Sequence, residues 1–499
     1  MTTPASHPPG PSAGPSAGSL VGSSAESFAG PLVGSSAESF ADLEAHLDAT
    51  AEARLADYLD FLRIPSVSTL PEHAPDMRRA AEFVAERMRR AGLEHVEICE
   101  TNGHPVVYGD WLNATGAPTV LTYAHYDVQP ADPLDLWVVP PFEPRVANGR
   151  VYARGSSDDK AQVHLQVAAA DAWLKVRGGV PVNVKFIFEG EEESGSENLD
   201  LWIGENRERL ACDVVVISDG DFFDGNLPAV TIGLRGIMYG QLDVTGPTVD
   251  LHSGSFGGTV TNPANALASI IAGLHAPDGR VDVPGFYDDV VPLTDRDRAE
   301  FARMPFDEET YRDSIGVPAL AGEKGYTTLE RRGARPTLDV NGLWGGFQGE
   351  GSKTIIPAHA HAKISCRLVP NQDPDRIFRA VRDRILALAP RGVRVAFTLI
   401  NGAPAILVPA DHPASNAAAA CLEQVFGTPP VYPREGGSVP VVGTFASVLG
   451  APSVLLSFAP PDSQAHAPNE SMRLDNYEGG IRTTIRFWAA LAVTELRRG

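Results

Sequence analysis

Two hydrophobic periods alternate along this chain. Short, nearly continuous apolar runs of strand length occur at 120–124 (VLTYA), 184–188 (VKFIF), 214–218 (VVVIS) and 454–458 (VLLSF). Segments with apolar residues at helical spacing surround these runs, at 41–64, 76–92, 161–176 and 196–210. Buried strands that alternate with amphipathic helices are typical of an α/β domain with a largely parallel sheet.

The middle of the chain has a different pattern. Residues 240–246 and 361–369 alternate between polar and apolar, which predicts half-buried strands. Two helices are predicted at 262–276 and 373–389, the first with Asn262 as its N-cap and a proline at its first position. We therefore predict a separate α+β domain inserted into the first one.

The predicted organisation has four segments. The main domain spans 42–234 and 406–499, and the inserted domain spans 235–405. Residues 1–41 are rich in Gly, Pro, Ser and Ala and contain LVGSSAESFA twice. Such a low-complexity tail is expected to be disordered and dispensable for chemistry.

Composition excludes several classes of function. The 499 residues carry a formal charge of -22, with 63 acidic and 41 basic side chains, which argues against a nucleic-acid or anionic-membrane partner. The four cysteines lie far apart, so neither a disulfide framework nor a thiolate zinc site is indicated. The N-terminus lacks a signal-peptide pattern and no segment has the apolar length of a membrane span. These features predict a cytoplasmic protein.

Potential metal ligands follow the predicted strands. His125 and Asp127 end the first strand, EGEEES (189–194) follows the second, Asp219 follows the third, and His466 lies in the loop after the fourth. Because ligands bind beyond the carboxyl ends of strands in open α/β sheets, these groups are expected to face one crevice. For the first pair, a simple hydrogen bond at a strand terminus is an alternative interpretation.

A fifth polar group comes from GSSDDK (155–160), which is predicted to open the next helix. It places Asp158 and Asp159 in the first helical turn, where the helix dipole favours carboxylates, so simple capping is an alternative role. Carboxylates crowded at one sheet edge would raise one another's pKa unless cations neutralised them. Two divalent ions with three carboxylates and a hydroxide balance in charge, as in hydrolases whose ions lie ~3.5–4 Å apart.

Eight motifs carry a family resemblance. In chain order they are AHYDVQP, RGSSDDK, EGEEESGS, ISDG, DLHSG, CRLVPN, REGGSVP and AHAPNE. This series resembles the M20 metallopeptidases, most closely the dipeptidase branch that includes cytosolic nonspecific dipeptidase and carnosinase. The resemblance implies a largely parallel α/β catalytic domain with an inserted α+β lid and dimerisation domain. It also implies a homodimer formed through the lid, small peptide substrates and dinuclear hydrolysis of dipeptides.

The resemblance also implies a role for particular residues. One metal ion would be bound by His125 and Asp219, and the other by Glu193 and His466. Asp158 would bridge both ions. The peptide bond after this aspartate is often cis in such proteins. The two ions per subunit would be Zn²⁺ or Mn²⁺, with Co²⁺ possible.

Three further residues receive catalytic roles. Asp127 would orient a ligating imidazole, and Glu192 would be the general base that takes a proton from the metal-bridging water. Glu191 would then either contact the metal-binding residues without binding metal itself or be exposed to solvent. His252 would reach the active site of the partner subunit and stabilise the oxyanion, although a surface role is the alternative.

Substrate-binding residues are also implied. Arg367 would bind the C-terminal carboxylate of the substrate, and Gly436, Gly437 and Ser438 would form a turn that lets backbone approach it; an ordinary turn is the alternative. Four residues are expected not to bind metal: solvated strand-edge residues His359 and His361, and loop carboxylates Asp221 and Asp224. A related deacylase or carboxypeptidase and a non-catalytic scaffold are the competing hypotheses.

Overall fold

The apolar runs form the centre of a six-stranded mixed sheet in the computed structural model, which describes residues 39–437, 439 and 441–496. The strands lie side by side in the order Glu94–Cys99, Val106–Trp111, Asn183–Glu189, Thr119–His125, Val214–Ile217, Ser453–Leu455. The last four are mutually parallel. Val106–Trp111 pairs antiparallel with Asn183–Glu189, and Glu94–Cys99 pairs antiparallel with Val106–Trp111. The carboxyl ends of four strands therefore lie at one edge of the sheet.

Both faces of this sheet are buried, which explains the continuous apolar runs. Val120 and Ala124 pack in a core with the long helices, whereas Leu121 and Tyr123 point to the opposite core. The helices on the first face are Ala41–Leu62, Ala74–Ala91, Lys160–Arg177, Pro413–Phe426 and Leu474–Ala492. The second face is covered by Glu197–Glu205, Val441–Thr444 and the π-helix Phe445–Leu449.

A second sheet has four antiparallel strands in the order Thr337–Gly345, His359–Leu368, Gly236–Thr245, Arg394–Ala403. Helices Pro263–Ala272 and Pro374–Leu388 cover one of its faces and form a separate core with it. Asn262 caps the first helix by accepting a hydrogen bond from the Ala264 amide at 2.9 Å, as predicted. The polar residues of these alternating strands lie on the other face of the sheet.

Smaller elements complete the described chain. Three short strand groups are Ile406–Leu407 with Gly233–Leu234 and Arg434–Glu435; Ser471–Arg473 with Arg150–Tyr152 and Arg145–Ala147; and Leu251–His252 with Ile355–Ile356. The remaining α-helices are Arg207–Leu210, Ser253–Phe256, Asp295–Arg303, Glu308–Ser314 and Thr328–Ala334. Helices of the 3₁₀ type are Pro71–His73, Leu134–Leu136, Glu192–Ser194 and Asp224–Asn226.

The predicted α/β class with an inserted antiparallel α+β part is confirmed, whereas the boundaries at 235 and 405 stay a prediction. The single helix predicted at 196–210 is wrong. Two helices meet at Asn206, whose side chain donates to the Trp202 carbonyl and competes with the backbone. The tail predicted at 1–41 lies outside the described residues up to position 38. Across the described helices, none combines the length and apolarity that a bilayer span requires.

Candidate metal centre

The predicted ligands meet at the carboxyl edge of the six-stranded sheet. His125 ends its strand and is fully buried. Asp158 lies just before the helix Lys160–Arg177, so the prediction that it occupies the first helical turn is wrong. Asp159 turns away from the helix because its carboxylate accepts a hydrogen bond from the His125 amide at 3.0 Å. The peptide bond between the two aspartates is cis.

Asp158 lies between two imidazoles. Its Oδ1 is 3.0 Å from Nε2 of His125, and its Oδ2 is 2.9 Å from Nε2 of His466. His466 adopts a backbone φ of 61°, a left-handed conformation that is uncommon outside glycine and typical of functional sites. One carboxylate therefore faces two separate groups of potential ligands.

Each group contains a further acidic side chain. His125, Asp158 and Asp219 offer one ligand atom apiece within 4.8 Å of one another, and so do Asp158, Glu193 and His466. Glu193 Oε2 lies 3.2 Å from His466 Nε2. All five predicted ligands therefore converge, although they come from segments up to 341 positions apart, between 125 and 466.

Burial and neighbouring charges shift the pKa values of the carboxylates in this cluster. Burial would raise the pKa of the Asp158 carboxyl, but hydrogen bonds from His125 and His466 hold it below its usual range. Burial raises the pKa of Asp219 to about 7, and the negative charges of Asp158 and Glu193 add to this effect. The carboxylates are thus placed where they destabilise one another without a positive charge.

The donor set fits divalent cations. Glu193 Oε1 is buried and accepts no hydrogen bond within the described chain, an unfavourable state for a carboxylate oxygen. Two imidazoles and three carboxylates are ligands that zinc, manganese and cobalt accept. An unsatisfied oxygen on a predicted ligand is the arrangement expected where a cation supplies the missing partner.

Three further acidic residues lie near the predicted ligands in sequence or in space. His125 Nδ1 lies 3.2 Å from Asp127 Oδ1, so Asp127 is placed to orient this ring, and its other oxygen accepts from the Glu193 amide at 3.1 Å. Burial raises the pKa of Glu192 well above its ordinary value, with Asp219 and Glu193 adding to the shift. Glu191 accepts from the His104 amide and from the Asn198 side chain, so it supports the loop and is not solvated.

Comparison with known proteins identifies the family. A model of peptidase family M20/M25/M40 matches residues 121–490. The chain belongs to this family. It is 34% identical over 435 residues to Cys-Gly metallodipeptidase dug1 of Schizosaccharomyces pombe, an alignment that covers 84% of this chain and 91% of that protein.

Two solved structures share the fold. Human carnosine dipeptidase 1 has a TM-score of 0.80 at 28% identity and covers 90% of this chain and 98% of its own. The M20 family metallo-carboxypeptidase Sso-CP2 of Sulfolobus solfataricus has a TM-score of 0.80 at 33% identity and covers 88% and 99%. The predictions of the M20 family and of a peptide-hydrolysing enzyme are therefore confirmed.

In this M20 peptidase, the predicted substrate residues adjoin an arginine that the sequence interpretation missed. Arg235 donates from Nε to the carbonyl of Gly436 at 3.2 Å. Burial lowers the pKa of Arg235 to about 10, and the positive charge of Arg367 adds to this effect. Arg235 directly precedes the strand Gly236–Thr245, and Arg367 lies near the end of its neighbour His359–Leu368, where it is paired with Ile237. Ser438 lies outside the described residues, and Gly437 is exposed.

The remaining predicted residues belong to neither candidate ligand group. His252 is exposed, and its Nδ1 accepts hydrogen bonds from the Gly254 and Ser255 amides. His359 and His361 belong to an inner strand of the second sheet, so the prediction of a strand edge is wrong, because a neighbouring strand pairs on each side. His361 lies 2.6 Å from Asp243 Oδ1 and stacks on Trp344.

Exposed loop carboxylates follow Asp219 in this M20 peptidase. Asp221 and Asp224 are both exposed and belong to neither ligand group. Two buried acidic residues, Asp159 and Glu470, lie inside the motifs RGSSDDK and AHAPNE, but the sequence interpretation assigned neither of them the backbone contacts that it makes. Nearly every residue type offers a backbone amide, so the sequence does not indicate such partners.

Proposed function

We propose that this chain hydrolyses the peptide bond of dipeptides at a centre of two divalent cations held by His125, Asp158, Asp219, Glu193 and His466. The observation that carries this proposal is the position of Asp158, whose two oxygens face different imidazoles. A shared carboxylate is the hallmark of two-metal hydrolytic sites. The names of the M20 relatives support dipeptides as the substrate class.

Zinc, manganese and cobalt all suit the donor set of two imidazoles and three carboxylates. When bound, the two cations would polarise the scissile carbonyl and make water a stronger acid. Within the chain, Asp127 would hold the His125 ring in the orientation that presents Nε2 to the site. The Glu192 carboxylate would accept the proton of the attacking water and deliver it to the leaving amine.

Two arginines support a substrate that carries a carboxylate. Arg235 and Arg367 repel each other, and Asp339 is the acidic side chain whose charge acts on both. A substrate carboxylate would relieve this repulsion and match the fork geometry of a guanidinium. We propose that Arg367 clamps the C-terminus of the dipeptide, and that Gly436, Gly437 and Ser438 form the adjoining wall.

Replacing Arg367 by alanine is expected to raise KM and leave kcat less affected. A charge-assisted hydrogen bond contributes about 2–3 kcal/mol, so kcat/KM should fall roughly 30- to 150-fold. The measurement is steady-state hydrolysis of a dipeptide and of its C-terminally amidated analogue. The amide should be a poor substrate for both proteins to the same extent. An equal loss on both substrates would contradict a carboxylate clamp.

His252 is proposed to complete the active site of a partner subunit in a homodimer. Because its Nδ1 accepts two backbone amides, the proton of the neutral ring lies on Nε2, which can donate to a developing oxyanion. Replacing His252 by alanine is expected to lower kcat roughly 10²- to 10³-fold, as the loss of an oxyanion donor does.

Subunit mixing tests whether His252 acts across the dimer. H252A and E192Q proteins should each be nearly inactive, but their heterodimer would contain one intact site. Random exchange would restore about a quarter of wild-type activity in a two-fold dimer. Sedimentation analysis supplies the oligomeric state. No recovery after demonstrated subunit exchange would show that His252 does not act in trans.

Substrate choice distinguishes the candidate reactions. The protein would be stripped with a chelator, reloaded with Zn²⁺, Mn²⁺ or Co²⁺, and assayed on free dipeptides, N-acyl amino acids and tripeptides. We expect dipeptides to give the highest kcat/KM. Preference for longer peptides would favour a carboxypeptidase, a candidate supported by the metallo-carboxypeptidase Sso-CP2. Turnover of none would leave the non-catalytic scaffold.

A further inference from the structure

A buried carboxylate that is not among the proposed ligands adjoins the bridging aspartate. Glu470 is 0% exposed. Its Oε1 accepts hydrogen bonds from the amides of Ser157 at 2.8 Å and Asp158 at 3.1 Å, and from the Ser157 hydroxyl at 3.1 Å. Its Oε2 accepts from the Gly155 amide at 2.9 Å. One carboxylate thus accepts from three backbone amides and one hydroxyl of the loop that contains Asp158.

Arg154 completes the coordination of this carboxylate. Its guanidinium is 1% exposed and donates from Nη1 to Glu470 Oε2 at 2.7 Å. Nη2 donates to the Pro130 carbonyl at 3.2 Å, and the group lies 5.5 Å from the centre of the Trp137 ring. The pair therefore connects the segment after Asp127 with the loop of Asp158.

Local structure explains why the chain surrounds Glu470. The residue precedes strand Ser471–Arg473, which pairs with Arg150–Tyr152, and its carbonyl accepts from the Ala153 amide at 3.1 Å. The chain then turns at Gly155 with a φ of 79°, where a Cβ atom would lie 2.5 Å from the Val128 side chain. After this turn the amides of Gly155, Ser157 and Asp158 point at the same carboxylate, and converging backbone amides of this kind bind anions. In this protein the group bound by these amides is the side-chain carboxylate of Glu470.

We propose that Glu470, paired with Arg154, is a positioning residue that sets the bridging carboxylate of Asp158 against His466. The inference rests on the metal centre proposed above. Glu470 lies four residues after His466 and directly binds the amide of Asp158, so a single side chain fixes both loops. Arg154 also binds the carbonyl of Pro130, three residues after Asp127, and so connects the segment of Asp127 to Glu470. No other described carboxylate makes hydrogen bonds to all three of these loop amides.

The test is metal binding by the apo protein, measured for Mn²⁺ by isothermal titration and electron paramagnetic resonance. The variant Glu470→Gln keeps the shape but loses the charge and one acceptor. We expect its Mn²⁺ affinity to fall roughly 10- to 100-fold, the range typical for groups that orient metal ligands. The conservative variant Glu470→Asp should recover part of this loss.

The matched control is Glu323→Gln, which breaks another buried pair, with Arg335, whose side chains are 8% and 6% exposed. This pair lies outside both ligand groups. Its Mn²⁺ affinity should stay within about twofold of wild type even if the melting temperature falls. Equal affinity for E470Q and E323Q would overturn the positioning role.

A second variant covers the case in which E470Q does not fold. Ser157→Ala removes a single hydroxyl donor to Glu470 and should lower Mn²⁺ affinity several-fold in a folded protein. Unchanged affinity in S157A would contradict the proposal. The wild type and D158A report on the metal centre separately, since equal binding by these two proteins would reject the centre itself and not the role of Glu470.

Discussion

Replacement of Asp158 by alanine is expected to empty both metal sites together. Each oxygen of this carboxylate faces a different imidazole, so neither ligand group stays complete without it. Activity should fall below about 1% of wild type, because both cations take part in the reaction. The measurement is metal content by mass spectrometry after gel filtration, together with dipeptide turnover.

Two further variants make the result specific. Asp219→Ala removes a member of one ligand group only, so the other site should keep its metal. Asp224→Ala removes an exposed carboxylate five residues after Asp219 and should retain wild-type metal content. Full occupancy of one site in D158A would show that the carboxylate is not shared.

The second large effect is expected for Glu192→Gln. This isosteric change removes the proton acceptor, so kcat should fall roughly 10²- to 10⁴-fold while KM and metal content stay close to wild type. Single-turnover hydrolysis of a dipeptide would locate the loss in the chemical step. The choice of Glu192 rests on its position in EGEEESGS, the segment that resembles the M20 motif. Burial and the negative charges of Asp219 and Glu193 also raise its pKa.

The adjacent Glu191 provides a matched control. Its carboxylate oxygen accepts from the His104 amide and the Asn198 side chain, and a glutamine in its place keeps a carbonyl oxygen for both. Glu191→Gln should therefore alter stability more than turnover. The reverse pattern, with E191Q inactive and E192Q active, would move the general base by one position.

Much of the fold and of the candidate site could be predicted because the sheet is buried on both faces. Val120, Leu121 and Tyr123 have to be apolar together, so the strand is visible as a continuous run. A polar residue at the end of such an apolar run, such as His125, can then be recognised as a candidate functional residue. Parallel strands bring those ends to one edge, which is why residues far apart in sequence could be grouped.

The parts that could not be predicted depend on backbone groups. Glu470 and Asp159 bind main-chain amides, and every residue type except proline offers such an amide. The start of the helix at Lys160 was missed for the same reason, since Asp159 binds the His125 amide and not the helix terminus. Arg235 could not be predicted because its hydrogen bond to Gly436 depends on the pairing of three short strands, Ile406–Leu407, Gly233–Leu234 and Arg434–Glu435.

The order of the strands has a consequence for biosynthesis. The edge strand Ser453–Leu455 pairs with Val214–Ile217, yet more than two hundred residues separate them along the chain. A ribosome therefore exposes His125, Asp158, Glu193 and Asp219 long before His466 is translated. The ligand groups are therefore complete only after His466 has been synthesised.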